Sequence, residues 1–103
     1  MIARATMAEV DAVRMPVGEA VALFRESVLP ALRGQDGFEG AYVLLSPEGK
    51  ALVLTFWADE ETAAAGLESG FYREQVAKFM TVFGAGPGRD TYEVVIADAP
   101  VMA

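Results

Sequence analysis

The 103-residue chain contains no cysteine, no histidine and no asparagine. Without cysteine it has no disulfides, no thiolate nucleophile and no cysteine-ligated metal. Without histidine it has no imidazole base and no histidine ligand for a haem iron or a zinc ion. We therefore predict a protein that works with no cofactor and no metal.

Basic residues and long apolar runs are also scarce. The chain has 8 Lys and Arg against 15 Asp and Glu, a net charge of −7, and no basic run. Binding to nucleic acid through phosphate neutralisation is therefore not expected. No apolar run approaches the ~20 residues of a membrane helix, and the start lacks the apolar core of a signal peptide. We expect a cytoplasmic protein without membrane contact.

What the chain has in abundance is apolar sequence, at 53% hydrophobic residues, enough to form the core of a single domain over residues 1–103. The stretch Ala51–Trp57 alternates without changing polarity, which predicts a strand covered on both faces. One face carries Ala51, Val53, Thr55 and Trp57, and the other carries Leu52, Leu54 and Phe56. Asp59 follows as a natural N-cap, with two glutamates suited to the first turn of a helix.

The remaining elements follow from periodicity, proline and glycine. A stripe at Val17, Val21, Phe24, Val28 and Leu32 predicts a helix that Pro30 kinks and Gly34 ends. Gly49 is expected to take a left-handed conformation in a hairpin turn. The predicted strands are Met1–Val10, Ala41–Leu45, Ala51–Trp57 and Thr91–Ala97, and two further helical segments are Glu60–Glu68 and Phe71–Phe83.

The order β-α-β-β-α-β predicts an α+β, ferredoxin-like fold, with helices on one face of a four-stranded antiparallel sheet. The second, third and fourth predicted strands are apolar on both faces, although the helices cover only one. A monomer would expose a large apolar patch, which soluble monomers avoid. We therefore predict a homodimer in which two sheets pack face to face.

Three short motifs in order carry a family resemblance. They are Pro30-x-Leu32, Gly37-Phe38-x-Gly40 and Thr55-Phe56-Trp57-x-x-x-Glu61. Together they resemble the antibiotic biosynthesis monooxygenase (ABM) superfamily of dimeric α/β barrels over nearly the whole chain. The resemblance implies an oxidoreductase fold that includes cofactor-independent monooxygenases, quinol monooxygenases and haem-degrading oxygenases, as well as uncharacterised proteins.

The haem-degrading branch can be tested residue by residue. The stretch Ser69-Gly70-Phe71-Tyr72-Arg73 resembles it. That branch, however, uses an asparagine, a tryptophan and a histidine where this chain has Met7, Gly66 and Val76. The resemblance therefore does not imply haem degradation here.

The resemblance to the cofactor-free enzymes implies a pocket between sheet and helices for an aromatic or quinol-like small molecule. We predict Trp57 and Tyr72 as the catalytic residues. Further candidate donors are the hydroxyls of Tyr42 and Tyr92 and the guanidinium groups of Arg25 and Arg73. The predicted pocket residues are Met7, Phe24, Phe71, Val76, Phe79 and Met80.

Each of these residues also has a structural interpretation. Trp57 would pack under the second helix with its N–H bonded to a backbone carbonyl, and Tyr72 would edge the core. The two arginines would be solvated helix residues. The alternative functions are a non-catalytic dimeric module that binds a small apolar ligand or serves a stress-related role, and isomerase-like chemistry. A polar donor pointing inward beside Trp57 would favour chemistry over binding alone.

Overall fold

A computed structural model of the chain describes residues 1–9, 16–78 and 88–98. The elements are β1 (Ile2–Glu9), α1 (Val17–Leu23), a π-helical turn (Phe24–Val28), α2 (Leu29–Arg33), β2 (Phe38–Leu45), β3 (Lys50–Trp57), α3 (Glu60–Glu68), α4 (Phe71–Ala77) and β4 (Gly88–Glu93). All strand pairs are antiparallel, in the order β2-β3-β1-β4. The predicted α+β, ferredoxin-like fold is confirmed.

The register of the central strands defines two faces of the sheet. β1 pairs with β3 so that Ile2 lies opposite Trp57 and Thr6 opposite Val53, and β2 places Val43 opposite the same valine. Opposed residues share a face and alternate residues change face. The inner face, towards the helices, carries Arg4, Thr6, Val43, Leu45, Val53, Thr55 and Trp57. The open face carries Met7, Tyr42, Leu44, Leu52, Leu54, Phe56 and Tyr92.

The first helical segment is interrupted by a widened turn and not by a simple kink. The N–H of Leu29 donates to the carbonyl of Phe24, five residues earlier, and α2 then continues with Pro30 in its first turn. A proline ring crowds the carbonyl four residues before it, and a π turn relieves that crowding. Val17, the first residue of the predicted stripe, is 37% exposed, whereas Val28 and Leu32 are buried.

The second helical region begins as its sequence predicts. Asp59 caps α3: its Oδ1 accepts the backbone N–H of Thr62 at 2.8 Å, and the Thr62 hydroxyl reaches back towards the Asp59 N–H. The predicted interruption at Ser69-Gly70 separates α3 from α4, where Gly70 takes a φ of 83°. The predicted extension of this helix to Phe83 lies outside the described residues.

Two strands, β2 and β4, differ by several residues from the bounds predicted from sequence. β2 begins at Phe38 and carries a bulge between Phe38 and Gly40, so it starts before the predicted Ala41. β4 runs from Gly88 to Glu93, so it begins before the predicted Thr91, and the predicted strand Thr91–Ala97 is wrong in its second half. β4 pairs only with β1, whose first residues lie opposite Glu93, and a last hydrogen bond joins the Val94 N–H to Met1. Among the described residues, no strand pairs with the chain beyond that point.

The core lies between the inner face and the helices. Ile2, Val28, Leu32, Trp57 and Ala63 form it, with Phe24, Phe38 and Phe71 packed against it. Trp57 is only 1% exposed, and the Phe38 ring meets it edge-on with centroids 5.7 Å apart. Within the described part of the chain, no helix combines the length and the hydropathy needed to cross a membrane.

Candidate functional site

A cavity of about 120 Å³ lies between the inner face and the two helical regions. Val43 and Leu45 are 41% and 38% exposed, so the cavity opens to solvent beside the end of β2. Trp57 and Arg4, which are almost fully buried, form its deep end. The lining residues are Arg4, Thr6, Ala8, Ala20, Val21, Phe24, Val28, Leu32, Val43, Leu45, Ala51, Val53, Thr55, Trp57, Phe71, Tyr72, Gln75 and Val76.

The volume and the chemistry of this cavity indicate what it accommodates. A dry protein cavity of ~150 Å³ lined by aliphatic and aromatic side chains binds benzene. A cavity of about 120 Å³ with a mostly apolar lining therefore accommodates roughly one ring, while a larger ligand would extend through the mouth.

A pair of hydroxyl groups supplies polar character inside the cavity. The Tyr72 hydroxyl on α4 lies 2.8 Å from the Thr6 Oγ1 on β1, a hydrogen bond in which either group can donate. Both side chains are partly buried. A polar donor in an apolar cavity orients a bound molecule, because each unmatched polar atom there is costly.

Trp57 is held by its neighbours rather than free to donate to a ligand. Its indole N–H donates to the Thr55 hydroxyl at 3.0 Å and not to a backbone carbonyl, the partner expected from the sequence. Its ring contacts Phe38 on one side, and the Arg4 guanidinium lies 5.5 Å from the ring centroid. Trp57 therefore forms a rigid wall of the cavity.

Arg4, like Thr6, is a cavity residue that the sequence does not predict. It is 2% exposed, its Nη2 donates to the carbonyl oxygen of Ala63, and its guanidinium lies 5.4 Å from the Tyr72 ring centroid. Burial lowers the pKa of Arg4 from its ordinary value. The signal in the sequence was an arginine sharing a strand face with Ile2 and Thr6, a face that turns out to be the inner one.

The structure brings most of the predicted site residues together. Besides Trp57 and Tyr72, the side chains of Phe24, Phe71 and Val76 line the cavity. Met7 does not: it lies on the open face and is 49% exposed, because strand alternation turns Thr6 inward and its successor outward. Phe79 and Met80 lie outside the described residues.

The alternative donors considered from sequence lie away from the cavity. Tyr42 and Tyr92 are on the open face, 50% and 53% exposed. Arg25 and Arg73 are exposed on their helices. Over residues 1–9, 16–78 and 88–98, no three acidic side chains cluster as a metal site would need.

Gly66 on α3 leaves room for the deep end of the cavity. A Cβ at this position would lie 3.9 Å from the Arg4 Nη1 and 3.9 Å from the Trp57 Cη2. A methyl group would fit there in ordinary contact, but a large side chain would collide with both groups. The absence of a side chain at Gly66 therefore leaves the space that the Arg4 side chain occupies.

Comparison with known proteins gives structural matches only. No family model matches the chain, and no curated protein matches it. Among solved structures, a proposed antibiotic biosynthesis monooxygenase from Deinococcus radiodurans is 14% identical, with a TM-score of 0.75 over 99% of this chain and 100% of the other. The monooxygenase ActVA-Orf6 of Streptomyces coelicolor, solved in complex with nanaomycin D, is 15% identical, with a TM-score of 0.72 over 97% and 92%.

A third similar structure binds a different kind of molecule. A mutant of MhuD, solved with two manganese protoporphyrin IX molecules per active site, is 21% identical, with a TM-score of 0.71 over 97% of this chain and 100% of the other. At such identities the likeness concerns the fold. The chain has the fold of the antibiotic biosynthesis monooxygenases.

Proposed function

We propose that this protein is a cofactor-independent monooxygenase of a small aromatic or quinol-like molecule, which binds in the cavity between sheet and helices. The observation that carries the proposal is the Tyr72–Thr6 hydroxyl pair, 2.8 Å apart, inside an otherwise mostly apolar cavity. A polar donor that points inward beside Trp57 is the feature that favours chemistry over binding alone. Tyr72, Thr6 and Arg4 supply that polar character.

The reaction needs only the substrate and oxygen. A phenol loses its proton to water at the mouth of the cavity, and an electron-rich ring carbon that bears a hydrogen forms a bond to O2. The peroxide anion takes up a proton to become a hydroperoxide. Loss of water from the resulting hydroperoxide leaves a carbonyl, so one oxygen atom enters the product and the other leaves as water. The substrate supplies all four electrons. Tyr72 donates a hydrogen bond to the substrate oxygen, and Trp57 positions the ring against a water-poor wall.

The cavity limits the size of the substrate. Nanaomycin D and protoporphyrin IX, bound by the two similar proteins, are both larger than a single ring. With about 120 Å³ available, the substrate we propose has one ring inside the cavity and any further part in the mouth beside Val43 and Leu45. Substituted phenols and hydroquinones meet this description better than tricyclic compounds.

We further propose that the protein works as a homodimer through the open face. Tyr42, Leu44, Met7 and Tyr92 are each about half exposed there. An exposed apolar sheet face of this kind is typical of an interaction site. When two copies pack through this surface, the open face of each copy covers the open face of the other. A cytoplasmic location, expected from the sequence, stays a prediction.

Oxygen uptake by the purified protein tests the proposed activity. Phenols, hydroquinones, naphthols and anthrones are offered without added metal or cofactor, against the rate of autoxidation. Removing one hydrogen-bond donor from such a site lowers turnover by roughly 100-fold, so we expect that loss in Tyr72→Phe. Tyr42→Phe is the matched control: it removes a tyrosine hydroxyl on the open face, away from the cavity, and keeps the ring. This variant should retain full activity. Equal rates in both variants would contradict the role of Tyr72.

A second candidate function is a non-catalytic module that binds a small apolar ligand. The observation in its favour is that the Trp57 N–H is already engaged by Thr55, which leaves few free donors in the cavity. Saturable binding of the same compounds without oxygen uptake from any of them would favour this function over the monooxygenase.

A further inference from the structure

Arg4 is a buried cation that lacks a full set of partners. Its side chain is 2% exposed and its Nη2 is bonded to the Ala63 carbonyl oxygen. Its Nε is buried and, in the described structure, has no hydrogen-bond partner. Burying a charged group with an unmatched donor is unfavourable unless an opposite charge is supplied.

The surroundings of Arg4 add positive charge rather than negative. Burial is the main cause that lowers the pKa of Arg4, with a smaller lowering by the charge of Arg89 on β4, while Tyr72 opposes the shift and raises the pKa. Arg89 itself lies 5.3 Å from the Tyr72 ring centroid, so two guanidinium groups contact one phenol ring. The acids of the neighbouring elements are exposed at the surface: Glu60, Glu61 and Glu68 on α3, Glu74 on α4, and Asp90 and Glu93 on β4.

We propose that Arg4 is the anion-binding group of the cavity, and that the ligand is an aromatic molecule bearing an ionised oxygen, as a phenolate or a carboxylate. The ligand then supplies the negative charge that the described residues around Arg4 do not provide. Its ring lies against the apolar walls, and its oxygen lies at the end of the cavity where Arg4, Tyr72 and Thr6 meet. Fully hydrated anions such as inorganic phosphate fit an apolar cavity poorly.

This inference rests on the proposed function in one respect, that the cavity is the ligand site, and it requires no turnover. It adds that binding favours the ionised ligand. A cation beside a bound phenol lowers the pKa of that phenol, whereas an apolar cavity without a cation raises it. A fall in the pKa of the phenol on binding therefore indicates a cation beside it, and a rise indicates an apolar cavity without one.

The experiment measures the ionisation of 4-nitrophenol bound to the protein, since its phenolate and phenol differ in absorbance. In the wild type, we expect the bound probe to ionise at lower pH than the free probe, with the phenolate bound at least about tenfold more tightly than the phenol. In Arg4→Met the preference should reverse towards the neutral phenol. Arg4→Gln, which keeps a donor near Ala63 without the charge, provides a second variant.

The control variant is Arg25→Met, which removes an exposed arginine of the π-helical turn and should keep the wild-type preference. An Arg4→Met or Arg4→Gln protein that folds and still prefers the phenolate would overturn the assignment of Arg4. Binding of neutral 4-nitrotoluene together with rejection of the phenolate by the wild type would overturn the anion preference alone. If the wild type binds neither compound, the cavity is not the ligand site, and the proposed function fails with this inference.

Discussion

At the scale of single residues, the structure shows why the motif Gly37-Phe38-x-Gly40 begins with a glycine. It has a φ of 78°, a conformation that L side chains rarely adopt, and a Cβ there would overlap the side chain of Thr62. Thr62 in turn belongs to the capping box of α3. The glycine is therefore required both by the backbone and by the close approach of the helix that follows β3.

Replacing Gly37 by alanine should be strongly destabilising. The left-handed backbone alone costs about 1–2 kcal/mol for a residue with a Cβ, and overlap with Thr62 adds about 1–3 kcal/mol. We expect the free energy of unfolding to fall by at least about 2 kcal/mol, as measured by urea denaturation followed through Trp57 fluorescence.

Gly40→Ala is the matched control in the same motif. A Cβ at Gly40 would meet nothing within 4 Å, and the φ of this residue is not positive. Its stability should stay within about 0.5 kcal/mol of the wild type. A Gly37→Ala protein as stable as Gly40→Ala would contradict the described turn.

At the scale of elements, the start of α3 depends on one ionised cap. The backbone N–H of Thr62 and its hydroxyl both hydrogen-bond to Asp59, and these bonds lower the pKa of the Asp59 carboxyl. A carboxyl whose pKa is lower in the folded state stabilises that state above the ordinary pKa, near 3.8. The contribution is lost as the pH falls through the lower, folded value.

Asp59→Asn should remove this pH dependence while keeping a capping side chain, since asparagine also caps helices well. We expect the stability difference between wild type and Asp59→Asn to be largest near neutral pH and to shrink as the pH falls below about 4. Urea midpoints measured across this pH range provide the test. Asp36→Asn, at an exposed loop position, should show the same dependence of stability on pH as the wild type. If the stability difference between wild type and Asp59→Asn does not change with pH, the linkage to Asp59 is refuted.

At the scale of the whole molecule, the open face of the sheet is an apolar surface that the helices do not cover. Val95 and Ile96, just beyond β4, are 82% and 83% exposed in addition to the apolar residues of the open face. A monomer would keep these side chains in water, which favours association with a second copy.

The proposed dimer predicts a solution mass near twice the 11.0 kDa of one chain, by light scattering at micromolar concentration. Leu44→Arg places a charge on the open face and should shift the protein towards monomer, since a buried unpaired charge opposes association. Val17→Lys changes a comparably exposed apolar residue at the start of α1 and should leave the mass unchanged. A wild-type protein that runs as a monomer would rule out this role for the open face.

The identity and order of the elements were determined by the sequence, because their causes are local. The apolar stretch Ala51–Trp57 predicts β3, and Asp59 predicts the cap of α3. Gly49 predicts the hairpin turn, where its φ is 87°. Pro30 predicts an irregular helix, though not that the irregularity would be a π turn. Each of these depends on a few neighbouring residues and their preferred dihedral angles.

The tertiary structure alone decided where each face points. Alternation in β1 separates Arg4 and Thr6 from Met7, but the sequence does not say which set meets the helices. It therefore predicts Met7 in the pocket, where the structure has Arg4 and Thr6. The predicted strand Thr91–Ala97 is correct as far as Glu93 and wrong beyond it, because pairing with β1 ends there although the apolar sequence continues through Val95 and Ile96. Pairing, register and burial join residues far apart in the chain, so they become readable only once the chain is folded.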